Sequence, residues 1–251
     1  MFEKPLTPGT QLLCFVCIYI CTLVFSGFII ALFLLSDSSS EIAELDLTDS
    51  TTFLLTVFVH QAVCFLGSFF IFLRITGHKF QEIVTLQRNF RSRAVYITIA
   101  IFLLAMPLEY GLSLVNESLA SYLPMSELIE KEKQMNQDLE AMMMHDNVSR
   151  LFISLFVLAL LPAVAEEFIF RGFLMSRLNL ATGNIHFSVA ISSVIFAALH
   201  FQPLKLLPMI FLAMCLGYLY HYLKDIKYSI LLHFMVNASQ ILLFFFWSET
   251  A

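Results

Sequence analysis

Glu166 and Glu167 stand side by side in an apolar run that begins at Leu161 and closes with Arg171 and Gly172. A carboxylate inside a membrane helix costs roughly a few kcal/mol on insertion scales, so two in succession mark a place where charge is put to use. Consecutive residues of a helix point about 100° apart, and the two acids therefore have different tasks. Glu167 and Arg171 are four apart on one face with the acid N-terminal, the better order for an ion pair. Glu166 has no such partner. A desolvated carboxylate of that kind can take a proton from water as a general base.

Two later runs carry groups that could work with it. Phe196 precedes His200 by one turn, and His233 precedes Asn237 by one turn, so each pair shares a helix face. An asparagine amide and an imidazole N–H both donate hydrogen bonds, which suits the oxyanion that develops on a carbonyl under attack. Base, second polar group and oxyanion donors fit hydrolysis of an acyl bond, a peptide above all, by activated water. Singly, Glu166, His200 and His233 would read as polar contacts between helices; together they read as a site. His60 and His221 are read as interhelical hydrogen-bonding histidines, and Glu109 beside Tyr110 as a structural or gating acid. Cys14-x-x-Cys17 has no accompanying His or Cys pair and is read as small apolar residues on a helix.

The elements that must position these groups are membrane helices. Hydrophobic residues make up 59% of the 251 positions and charged residues 13%, against about 45–50% and about 25% in soluble domains. Mean hydropathy is +0.82, and the bilayer is the solvent. Net charge is −5 with dispersed bases, which excludes a nucleic-acid-binding protein. Runs near the roughly 20 apolar residues needed to span fall at 11–35, 52–73, 94–115, 150–172, 187–203, 205–223 and 228–247. The first lacks an Ala-x-Ala-like cleavage site and is read as a retained span.

The expected fold is all-α: a polytopic transmembrane helical bundle of about seven spans, forming one membrane domain over 1–251. Within it, 1–115 holds three spans without motifs, 116–149 is polar and extramembrane, and 150–247 is the core carrying the chemistry. Leu128, Met135, Leu139, Met142 and Met143 recur at roughly helical spacing in the polar segment. That predicts an amphipathic surface helix, read as a connector rather than a gate. Loop 36–51 holds five acids and no base, whereas 74–93 holds Arg74, Lys79, Arg88, Arg91 and Arg93. With the N-terminus cytoplasmic, alternation puts ten of the fourteen bases inside, as short cytoplasmic loops prefer.

Glu166-Glu167-x-x-x-Arg171, Phe196-x-x-x-His200 and His233-x-x-x-Asn237 resemble, in order, the three motifs of the CPBP family. That family comprises type II CAAX prenyl proteases and bacterial bacteriocin-processing or Abi-type intramembrane proteases. The resemblance spans 166 to 237 and does not reach the N-terminal 150 residues. It implies an intramembrane endopeptidase in which Glu166 and His200 activate water and His233 with Asn237 stabilises the oxyanion. Glu167, Arg171 and Phe196 then have supporting roles. It also implies eight spans where seven are counted, a peptide or membrane-protein substrate, and a bacterial cytoplasmic membrane as the location.

The family is commonly labelled metalloprotease. Glu166, His200 and His233 could make a His₂Glu zinc site with a position open for water, but there is no His-Glu-x-x-His spacing, so the motifs establish no metal. Two other functions remain open: a catalytically silent relative serving bacteriocin self-immunity or a membrane scaffold, and a transporter or proton relay. No paired, broken half-repeats favour the last. One geometric conflict stands. Run boundaries put Glu166 near the cytoplasmic face and His200 about 20 Å up its own helix. Either 172–186 extends the fourth helix, or the fifth run is short or re-entrant.

Overall fold

The computed structural model describes residues 6–36, 50–120, 122, 124–143 and 148–248. The acids of 37–49 and Lys4, used above for orientation, lie outside the described residues, as do the side chains of Leu139, Met142 and Met143. Every regular element among the described residues is helical. In chain order, α1 is Pro8–Ser36, and α2 runs through Ser50–Val59, a π-helical His60–Gly67 and Ser68–Thr76. The short α3 is Phe80–Ile83, α4 is Ser92–Ala120 and α5 is Ser126–Met143. α6 is one long rod from Val148–Ser154 to Ser176–Thr182, π-helical at Leu155–Leu160 and Phe168–Met175. α7 is Ile185–Ala198, α8 is Leu206–Leu223 and α9 is Ile226–Ser248.

Six of these helices (α1, α2, α4, α6, α8 and α9) are long and apolar enough to cross a membrane, and α7 is a shorter apolar helix. Their outer faces carry exposed Leu13, Val24, Leu103, Leu104 and Phe152, as expected where lipid rather than water is the solvent. Each helix satisfies its own backbone, so the remaining specificity comes from side chains between helices. Phe15 of α1, Phe72 of α2 and Phe173 of α6 form a mutually packed aromatic set, with Phe15 and Phe173 centroids 4.6 Å apart. Pro162 sits in the first turn after the π segment Leu155–Leu160. A proline lacks the N–H of the i−4 bond and crowds that carbonyl, and the wider π turn before it gives the ring room.

The bundle has two chemically distinct ends. At one, Arg177 donates to Gln11 Oε1 (2.9 Å), and the 77–91 loop ties to the α8–α9 turn. There Gln87 donates to the Lys224 carbonyl (3.0 Å), Lys227 to the Gln87 carbonyl (2.6 Å), and Arg91 to the Leu223 carbonyl. At the other end, Asn116 donates to the Pro203 carbonyl (2.7 Å) and accepts from Leu207 N–H (3.0 Å). α5 docks on the same turn: Glu132 accepts from Leu204 N–H (2.7 Å) and Asn136 from Lys205 (3.0 Å). The expected amphipathic helix is therefore present, but with a different inner face. Met135 is exposed, whereas Glu132 is buried.

The depth conflict is resolved by where the fourth helix stops. The run expected to end at 172 continues to Thr182, and the run expected over 187–203 is helical only over Ile185–Ala198. Gly183 ends α6 with a left-handed φ of 66°, which glycine adopts without strain. Asn184 then caps α7 by accepting from Phe187 N–H at 3.1 Å. At 1.5 Å per residue, Glu166 lies about 24 Å before the end of α6 and His200 about 22 Å beyond the start of α7. The two helices form a hairpin, so both residues stand at the same level.

Candidate active site

Glu166, Glu167, Arg171 and His233 are 5%, 0%, 3% and 4% exposed. Buried charges persist only when paired and hydrogen-bonded, and the pairing here divides the two acids. Glu167 Oε1 accepts from Arg171 Nη1 at 2.6 Å and from His233 Nδ1 at 2.9 Å. Arg171 spends a second donor on the Ala213 carbonyl (3.1 Å), and its guanidinium carbon lies 4.9 Å from the centroid of the Phe196 ring. One carboxylate thus links α6 to α9 directly, and through Arg171 to α7 and α8. Glu166, one residue earlier, points to other partners. Its Oε1 accepts from Gln61 Nε2 of α2 at 2.9 Å, and its Oε2 is 3.8 Å from His233 Nε2. The latter is too long for a hydrogen bond.

The remaining sequence-predicted residues lie around this cluster. His200 Nδ1 is 2.7 Å from the Phe196 carbonyl oxygen, so that nitrogen donates and Nε2 is left free. The Phe196 ring touches both imidazoles, with centroids 4.6 Å from His200 and 5.9 Å from His233. His200 itself forms no hydrogen bond or ion pair with Glu166, His233 or Asn237 among the described residues. Asn237 is half-buried one turn beyond His233, with no hydrogen bond to another described residue. Its amide is thus available to a ligand. Among the described residues, no three His, Cys, Asp or Glu side chains stand close enough to hold a metal ion. His233 Nδ1 donates to Glu167 and His200 Nδ1 to the Phe196 carbonyl, which leaves Nε2 as the free nitrogen of each ring.

Two readings of polar residues change, and the reading of the cysteines does not. His60 makes an edge-on contact with Phe65, centroids 5.4 Å apart, rather than a hydrogen bond to another helix. His221 meets Lys224 (3.3 Å) at the end of its own helix. The five cysteines are free thiols. Gln61, Asn116, Glu132 and Asn136 were passed over by sequence reasoning. A lone amide in the apolar run 52–73 was the available signal for Gln61, and nothing in the spacing marked the other three.

Glu166, Glu167, Arg171 and His233 thus meet at the buried centre of an all-helical membrane bundle, with Phe196 and His200 beside them. Residues 148–239 match the family described as type II CAAX prenyl endopeptidase Rce1-like. Through that segment the chain is similar to the CPBP/CAAX protease family. The match runs from the start of α6 into α9 and includes every motif residue; α1 to α5 lie outside it. Neither a curated protein nor a solved structure matches the chain.

Proposed function

We propose that this chain is an intramembrane endopeptidase that cleaves a membrane-associated protein or peptide, with Glu166 as the general base for water. One observation carries the reading. Glu166 is buried in the bundle yet its hydrogen bond comes from a neutral amide, while the adjacent Glu167 is consumed by Arg171 and His233.

Glu166 takes a proton as the water oxygen bonds to the carbonyl carbon. The oxyanion that forms takes hydrogen bonds from the Asn237 amide and His233 Nε2. Because His233 Nδ1 donates to Glu167, Nε2 donates only when the ring carries its second proton. In that state Glu166, Glu167, Arg171 and His233 sum to zero charge. When the tetrahedral centre collapses, the C–N bond breaks and the proton on Glu166 passes to the leaving amine. His200, fixed through Nδ1, presents Nε2 as an acceptor on the α7 side, and Glu167 with Arg171 holds the cluster. No step passes through a metal.

The location fitting this reading is a bacterial cytoplasmic membrane with the N-terminus inside. The test compares peptide profiles of membranes carrying wild type and Glu166→Gln. Loss of specific cleavage products in the variant is expected; matching profiles would end the protease reading in favour of a silent scaffold or immunity role. A chelator arm in the same assay reports separately on metal.

A further inference from the structure

We infer that Gln61 is a positioning residue of the site: its amide N–H fixes Glu166, and its carboxamide oxygen accepts from the attacking water. This rests on the reading of Glu166 as base. Gln61 comes from α2, outside the segment that matches the protease family. It is nevertheless the only described side chain hydrogen-bonded to Glu166. The two are joined at 2.9 Å in a buried setting.

Gln61 is 7% exposed, and its Oε1 is buried without a hydrogen-bond partner. Buried amide oxygens are nearly always paired, and one left open within a polar cluster calls for a ligand. The residue also sits in the first turn of the π-helical stretch His60–Gly67. Such insertions recur at functional sites, where they re-aim a side chain.

The chemistry that satisfies both ends of this amide is a water molecule. Gln61 occupies Glu166 Oε1, so Oε2 is the oxygen left to act as base. A water between the two side chains gives one proton to Glu166 and directs the other to Gln61 Oε1. Its lone pair is then turned toward the carbonyl carbon. On attack the C–O bond forms and the first proton moves to Glu166. The second stays on the new hydroxyl, still hydrogen-bonded to Gln61. No oxidant or co-reactant is required.

The experiment uses the full chain with Gln61→Met, which keeps the volume and removes both polar atoms, and Gln61→Asn, which keeps a shorter amide. Membrane peptide profiles are read first. Turnover of a fluorogenic peptide copied from the cleavage site so found is then followed in proteoliposomes, alongside unfolding midpoints. For Gln61→Met the expected result is a fall in kcat of roughly 100-fold, the scale of a misplaced reacting group, with KM little changed and the midpoint lowered because buried Glu166 loses its hydrogen bond. Gln61→Asn should keep more activity than Gln61→Met. Wild-type kcat in Gln61→Met, or equal loss in both variants, overturns the inference while Glu166→Gln remains inactive. Full activity in Glu166→Gln instead overturns the reading of Glu166 as base.

Discussion

Glu167 shares one oxygen between Arg171 and His233, so its replacement strands a guanidinium that is itself buried. Removing one partner of a buried pair costs about 3–5 kcal/mol, because the remaining charge keeps its desolvation penalty without compensation. Glu167→Gln should therefore lower stability by about that amount, measured by unfolding in detergent. Glu166 faces only the His233 imidazole, at 3.8 Å, and Arg171 stays paired without it, so Glu166→Gln should lower the midpoint less than Glu167→Gln while abolishing cleavage. Equal destabilisation by both variants would contradict the division of labour between them. At this scale the sequence was informative wherever partners share a helix. The four-residue spacing of Glu167 and Arg171 announced a bond that the structure contains. Bonds between helices left no such trace, and the links from Glu167 to His233 and from Glu166 to Gln61 had to be seen in three dimensions.

Apolar runs located the helices well, because crossing hydrocarbon demands length and leaves little freedom in composition. They misplaced the α6–α7 turn because Arg177 and Asn179 dilute the hydropathy of a stretch that is still helical. Gly172, at the expected boundary, does not end the helix but admits a neighbour: a Cβ there would lie 2.8 Å from Val84 Cγ2. Gly172→Ala should cost roughly 1–3 kcal/mol, the usual penalty of overpacking. Val84→Ala should recover part of it, and additive losses in the double variant would refute the contact. α5 offers a pH-dependent counterpart. Burial pushes the Glu132 carboxyl above its ordinary range, with Lys205 partly opposing. A raised carboxyl means that the docked state binds the extra proton, so docking weakens as pH rises through that raised range. Protection factors in α5, corrected for intrinsic exchange, should be larger at about pH 5 than at about pH 8, and Glu132→Gln should flatten the difference.

Among the described residues six helices are long enough to cross, and α7 followed by the 199–205 stretch makes a seventh passage, from the end of Arg177 to the end where Asn116 meets Pro203. An odd number of passes puts Pro8 at the end that holds Arg91, Arg177 and Lys227, and Phe246 at the end where α5 docks. Short basic loops stay in the cytoplasm, and on the proposed orientation the first of these ends faces inside. Asn89 and Glu130 are exposed and lie on opposite sides of α4, so they report this directly. In a background lacking the native cysteines, Asn89→Cys should resist a membrane-impermeant thiol reagent in intact cells and react once they are opened. Glu130→Cys should react in both. The reverse pattern would invert the orientation, and like behaviour of the two positions would deny that α4 crosses. The outcome also bears on cleavage. α6 is about 52 Å long at 1.5 Å per residue, against roughly 30 Å of hydrocarbon. It is longer than the hydrocarbon core, and Glu166 lies near its middle. On the proposed function a substrate reaches Glu166 from within the membrane or down the bundle, and the labelled side tells which end of that bundle faces the cytoplasm.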